Sequence, residues 1–262
     1  VDQDEIDDCG AGAGAGDEGG SDASIQLQMT GVLIDGAGFG RQDGDGVRVD
    51  DRGPGHIGLA MTNSIVQFVG GDGMELDEGG IGDVVINVRN SLFDNNGNYC
   101  DATLDWETLD EACNDGGDPD VDDAFDIDEA GPGKIVGLVA NVDLIENFDE
   151  GLDFDTLGGG DEDGISVDLK LSDIFGIDNA DEAVKVSEEE DGTVLVDMHS
   201  LDIGGDVEVE EEDAGDLHVT VNGSWIGDDL KIAQLPSGEG TLKVRGSVIV
   251  DDIDITGSVD EI

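Results

Sequence analysis

The sequence predicts an all-β fold, a three-sided parallel β-helix (a β-solenoid) of about eight or nine coils. Three observations lead there. An apolar pair with one residue between its members keeps returning: Val47/Val49, Met74/Leu76, Phe125/Ile127, Leu152/Phe154, Val184/Val186, Val207/Val209, Leu230/Ile232 and Ile253/Ile255. The first members stand 27, 51, 27, 32, 23, 23 and 23 residues apart. The long step becomes ordinary once an insert at 98–122, about two dozen residues, is set aside, and a fixed period of this size marks a solenoid. Between the pairs, Val- and Ile-rich segments alternate at period two, which is a strand signal. Helical spacing is absent except weakly in LDWETLDEAC, inside the insert.

The elements follow in order. Residues 1–22 form a flexible, acidic, Gly/Ala-rich leader without apolar periodicity. The solenoid occupies 23–262, and IQLQMTGVLI from Ile25 is its first coil. Each repeat opens with an acidic or glycine corner such as Asp45-Gly46, Asp72-Gly73 or Glu150-Gly151. The apolar pair comes next, then a turn such as DDRGPG, DEAGPG or EEEDAG. A longer strand follows: Ile57/Leu59/Met61, Val84/Ile86/Val88, Ile165/Val167/Leu169, Val194/Val196/Met198, Leu217/Val219/Val221 and Leu242/Val244. A polar turn then leads to a short third strand. The turns are Asn63-Ser64, Asn90-Ser91, Leu171-Ser172, His199-Ser200, Gly223-Ser224, Gly246-Ser247 and Gly257-Ser258. Their serines and asparagines are expected to stack at a corner and bond along the ladder.

Charge limits the partners. Ten basic against 67 acidic residues give a formal charge of −57, yet 37% of the chain is hydrophobic and periodic, so a folded body with an acidic skin is expected. Such a surface repels nucleic acid and anionic membranes, because counterion release needs clustered Lys and Arg. No apolar run is long enough for a membrane span. The opening VDQDEIDD carries no signal peptide, so an exported protein would be in its mature form here. Cys100 and Cys113 flank the acidic insert and are candidates for a disulfide, which suits an oxidising compartment; Cys9 is left over. Self-repulsion on this scale calls for strong screening or bound cations.

Stacking in register turns the repeats into ladders. The residue between the members of the pair gives Arg48, Glu75, Asp126, Asp153, Lys185, Glu208, Lys231 and Asp254. The residue just after it gives Asp50, Asp77, Asp128, Asp155, Ser187, Glu210, Ala233 and Thr256. Two carboxylates ~4.8 Å apart repel by about 1 kcal/mol in water and by about 3–4 kcal/mol at an effective dielectric of 20. Glu75, Asp77, Asp126, Asp128, Asp153 and Asp155 are therefore candidate ligands for a cation, with calcium (Ca2+) expected because it takes several carboxylate oxygens in loose geometry. Asp115, Asp118, Asp120 and Asp122 in NDGGDPDVDD form a second candidate group. A solvated acidic face screened by salt is the favoured account of the ladders, and a plain turn competes for the loop. No histidine shares a register with a serine, so no nucleophilic site is read.

NSIVQFVGGDGMELDE (63–78) and NSLFDNNGN (90–98) resemble the repeats of the right-handed parallel β-helix superfamily, the pectin-lyase-like fold. The resemblance runs over about residues 25–262 as a repeat pattern and implies a right-handed winding. It leaves the activity open, since the superfamily holds polysaccharide lyases, hydrolases, epimerases, adhesins and phage fibres. Its lyases pair calcium-binding acids with a basic residue, which by this resemblance points to Arg48, Arg52 and Arg89 beside Asp50 and Asp77.

The reading that results is a non-enzymatic, extracellular or cell-surface structural protein adapted to salt or calcium. Its expected partners are cations and further copies of itself, joined head to tail into a homo-oligomer, filament or sheath. A secreted carbohydrate-active enzyme, lyase or hydrolase, and a calcium-dependent adhesin are the alternatives.

Overall fold

The computed structural model describes residues 23–38, 44–97, 122–158 and 164–261. The leader, all three cysteines (with the Cys100/Cys113 pair), the helical signal of the insert, and Asp115, Asp118 and Asp120 lie outside the described residues. Within them every element is a β-strand. The strands form two sheets of 14 and eight, and neighbours pair in parallel throughout.

Three faces follow one another along the chain. The long face begins with Ile25–Thr30, Ile57–Thr62 and Val84–Asp94. The short face holds strands such as Leu33–Asp35, Ile65–Gln67, Trp225–Ile226 and Val248–Ile249. At three levels, Val84–Asp94, Ile135–Ile145 and Ile165–Ile177, the long and short faces run on as one bent strand. The third, acidic face stacks Arg48–Asp51, Met74–Glu78, Phe125–Glu129, Asp153–Thr156, Val184–Glu188, Val207–Glu211, Leu230–Gln234 and Ile253–Gly257.

The apolar pairs stand in vertical files as their spacing predicts. Val207 faces Leu230, which faces Ile253, and Met74 faces Phe125. Alternate residues of parallel strands point the same way, so these files fill the bore. Phe125 stacks on Phe93 at 5.7 Å between ring centroids and meets Phe154 edge-on at 5.5 Å. All three rings are fully buried.

The corner between the long and short faces bends through one left-handed residue per level: Gly31, Asn63, Asn90, Asn141, Asp173, Ser200, Gly223 and Gly246, with φ between 51° and 64°. Gly, Asn and Asp adopt this conformation at least cost. The next position holds Ser64, Ser91, Ser224 and Ser247, whose hydroxyls accept the N–H groups of Val32, Ser64, Leu201 and Ser224 at 3.0–3.3 Å. The expected serine stack is thus present, with three corrections. Pairing of Ser172 with His199 puts the bend at Asp173 and Ser200, so the turn expected at Leu171-Ser172 lies two residues later and the one expected at His199-Ser200 one residue later. Ile174 and Leu201 take the serine's place at those levels and are buried. Gly257 pairs with Gln234 and closes the acidic face rather than this corner.

A second corner carries an asparagine ladder that the sequence reading missed. The Asn96 amide donates to Asn147 Oδ1 at 3.0 Å, and the Asn147 amide to Asn179 Oδ1 at 2.8 Å. The same oxygens accept backbone N–H groups from Asn96 and Asn147. Each ladder residue follows a left-handed one: Asn95, Glu146 and Asp178.

Candidate metal centre

The acidic face positions the site. Its ladders have the predicted register: Glu75 pairs with Asp126 and Asp126 with Asp153, while Asp77 pairs with Asp128 and Asp128 with Asp155. Their surroundings differ from the expectation. These six carboxylates point away from the apolar bore, yet none is more than 6% exposed. At these six positions the expected solvated face is corrected to a buried one, while Asp50 and Asp254 toward its ends are exposed. Burial disfavours the ionised form, and packing like charges together adds to the effect. Asp126 is therefore held well above the usual carboxylate range, first by burial and then by Asp128, Asp72, Asp123 and Asp153. Burial also raises Asp153, with Asp155 adding and Lys185 opposing, and it raises Asp77 against the pull of Arg48.

A further acidic column runs beside these and was read from the sequence only as turn residues. Backbone bonds place Asp72, Asp123, Glu150, Glu182, Asp206, Asp229 and Asp252 above one another, as Gly73 N bonds Asp123 O, Ala124 N bonds Glu150 O, and so on to Leu230 N and Asp252 O. Several members cap the next level: Asp72 accepts the Asp123 N–H at 2.7 Å, and Asp123 accepts the Glu150 N–H at 2.8 Å. Short acids at a corner thus satisfy amides that the sheet ladder leaves open. The signal was legible, since an acid stands one or two residues before each apolar pair.

Basic residues hold only parts of this wall. Arg48 reaches Glu75 at 2.9 Å and Asp77 at 3.1 Å. Lys185 reaches Asp153 at 2.8 Å and Glu150 at 3.3 Å. Lys231 contacts Glu182, Asp206 at 2.8 Å and Glu208 at 3.3 Å. Arg52 pairs with Asp50 at 2.6 Å. Two triads in the middle bring carboxylate oxygens within 4.8 Å of one another: Glu75–Asp77–Asp126 and Asp123–Asp126–Asp153. Asp45–Asp72–Glu75, Asp123–Asp149–Glu150 and Asp206–Asp228–Asp229 are further groups of this kind. Asp122, the one described residue of the loop group, adds to the charge around Asp72.

The last position of the strands of this face points inward and holds acids at several levels, with Thr156, Gln234 and Gly257 at others. Glu78, Glu129, Glu188 and Glu211 are fully buried. Glu78 accepts the Gly80 N–H at 3.1 Å, Glu129 those of Gly131 and Gly133 at 2.9 and 3.1 Å, and Glu211 that of Gly215 at 2.7 Å. Burial raises Glu78 to about 7, Glu129 to about 10 and Glu188 to about 8. These side chains replace turn hydrogen bonds and have a structural role.

The histidines stand apart from this centre. His56 Nδ1 accepts the Asp83 N–H at 2.7 Å, His218 meets Thr241 at 2.8 Å, and His199 meets Asn222 at 3.4 Å. No family model, no curated protein and no solved structure matches the chain.

Proposed function

We propose that this chain is a structural β-solenoid of the cell exterior, a rod that associates end to end and whose acidic skin suits a medium rich in salt or calcium. The two ends carry this reading. Ile25 is 37% exposed although Ile57, its neighbour in the file, is 0% exposed; Ile255 is 39% exposed although Ile232 is 1%. The core thus surfaces where the described sheets stop. The end strands Ile25–Thr30 and Ile253–Gly257 each pair on one side within those sheets. A free strand edge beside exposed core residues is a template for another strand. Head-to-tail contacts of this kind are heterologous and propagate into open fibres.

One recess of the long face fits the hydrolase alternative poorly. A recess of about 450 Å³ on the long face is lined by Gln26, His56, Val85 and Asn87, with Asp83 as its single carboxylate. A hydrolase of the kind weighed above needs two opposed acids. Size-exclusion chromatography and negative-stain microscopy of the full chain, in concentrated salt with and without calcium, test the proposal. Stacked rods or filaments are the expected outcome. Monomers under every condition would sink it.

A further inference from the structure

One residue breaks the charge pattern of the acidic face. Down the ladder Arg48, Glu75, Asp126, Asp153, Lys185, Glu208, Lys231, Asp254, the other four acids each have a basic residue on at least one adjacent strand. Asp126 has an acid on both sides, Glu75 and Asp153. Arg48 holds the acids of the level before it and Lys185 those of the level after it. Neither Asp126 oxygen has a hydrogen-bond partner, and the side chain is 1% exposed. Glu75 Oε2, Asp77 Oδ1 and Asp153 Oδ1 are buried and unpartnered as well. The residues that carry these five oxygens lie on three consecutive strands and belong to the two triads that share Asp126.

We propose that Asp126 is the centre of a calcium site, with Glu75 and Asp77 on one side and Asp123 and Asp153 on the other. The cation supplies the positive charge that a basic residue supplies elsewhere on the ladder. The donor set is oxygen only, which selects a hard cation over zinc or copper. Four of the five donors sit on strands whose spacing the sheet fixes at about 4.8 Å, with Asp123 at the corner before one of them, and calcium's six to eight ligands at 2.3–2.6 Å tolerate this better than magnesium's tight octahedron. The buried acids lose their mutual repulsion when the ion binds, because opposite charge within a few ångströms favours their ionised form. This inference does not rest on end-to-end association, since a monomer holds the whole site.

The test is calorimetric titration of the chelator-treated full chain with CaCl2 at about 1 M KCl, where the Debye length is ~3 Å and general screening is already saturated. Thermal melts accompany it. The wild type is expected to bind calcium and to melt higher in its presence, since a ligand bound only by the folded state stabilises it. Asp126→Asn should bind at least roughly tenfold more weakly, as affinity follows the charge count of the ligands. In chelator the same variant should melt higher than the wild type, because it removes a carboxyl group that its buried, acid-lined surroundings hold against ionisation. Asp254→Asn, exposed at the end of the ladder, should leave affinity unchanged. Calcium affinity that survives Asp126→Asn overturns the site. So does a wild-type melting point that calcium raises no further than KCl of equal ionic strength.

Discussion

Glu188 shows what one inward carboxylate does to the energetics. Burial, with a smaller push from Glu211, raises it from 4.5 to about 8, while N–H groups from Gly192 and Glu190 pull the other way. The folded chain therefore binds the extra proton between those two values, and the unfolded chain does not. Stability contributed by this group is full below 4.5, falls as pH rises to about 8 and stays flat beyond. Glu188→Gln should remove that slope and raise Tm at alkaline pH, at roughly 2–4 °C per kcal/mol regained, with little change at acid pH. Melting curves of both proteins across the pH range check it. Gln234 already occupies the corresponding end position two strands further on, donating to the carbonyls of Gly215 and Ser237 at 3.1 and 3.0 Å. Sequence alone leaves the direction of these acids open for a physical reason. Counting by two from Met74 and Leu76 reaches Glu78, so parity places it inward. Its charge argues outward, and only the turn N–H groups of Gly80 decide between them.

At the level of strands and corners, register was the most legible property. A pair such as Val184/Val186 sets which side faces the bore, and a slip of one residue would expose every member of the file. The columns holding Glu75, Asp126 and Asp153 could therefore be written down in advance, although their burial could not, since burial depends on what lies over the strand. Gly137 hid the strand Ile135–Ile145, because it stands at an inward position where the Ile86 side chain comes within 2.3 Å of where a Cβ would lie. Asparagines were harder to read, because Asn96 and Asn147 look like ordinary turn residues until three levels are aligned. Asn147 both donates and accepts within the ladder. Asn147→Ala should therefore remove the acceptor that the Asn96 side-chain and backbone N–H groups share, leaving the side chain only its bond to the Val66 carbonyl, and cost about 1–3 kcal/mol. Denaturant unfolding measures this, and a loss within error of zero would show that water replaces the ladder.

For the whole molecule, 67 acids against ten bases make the medium part of the fold. Glu78, Asp149, Glu188 and Glu210 are all raised, to about 7, 8, 8 and 7, mainly by burial. Each raised acid gives the folded state more bound protons than the unfolded one, so stability declines with rising pH up to about 8 through these four, and on to about 10 through Glu129. In chelator at low salt, Tm should drop steadily across that range. Added KCl should recover the share due to exposed charges, since salt screens these far better than buried groups. Calorimetry over a grid of pH and salt reads this out, and a flat Tm in chelator would contradict it.

The alternation of sign from Asp153 to Asp254 on the acidic face has a consequence for how this part of the rod can lengthen. Glu208 and Lys231 form a couple of opposite sign between Lys185 and Asp254, so the unit that copies without placing like beside like is 46 residues (207–252), two 23-residue steps rather than one. Tandem doubling of that block should give a folded chain longer by about 10 Å. Doubling 207–229 alone would set one glutamate against its twin. Evolution of length on this scaffold would then advance by even numbers, with parity enforced by electrostatics while the hydrophobic interior remains indifferent to it.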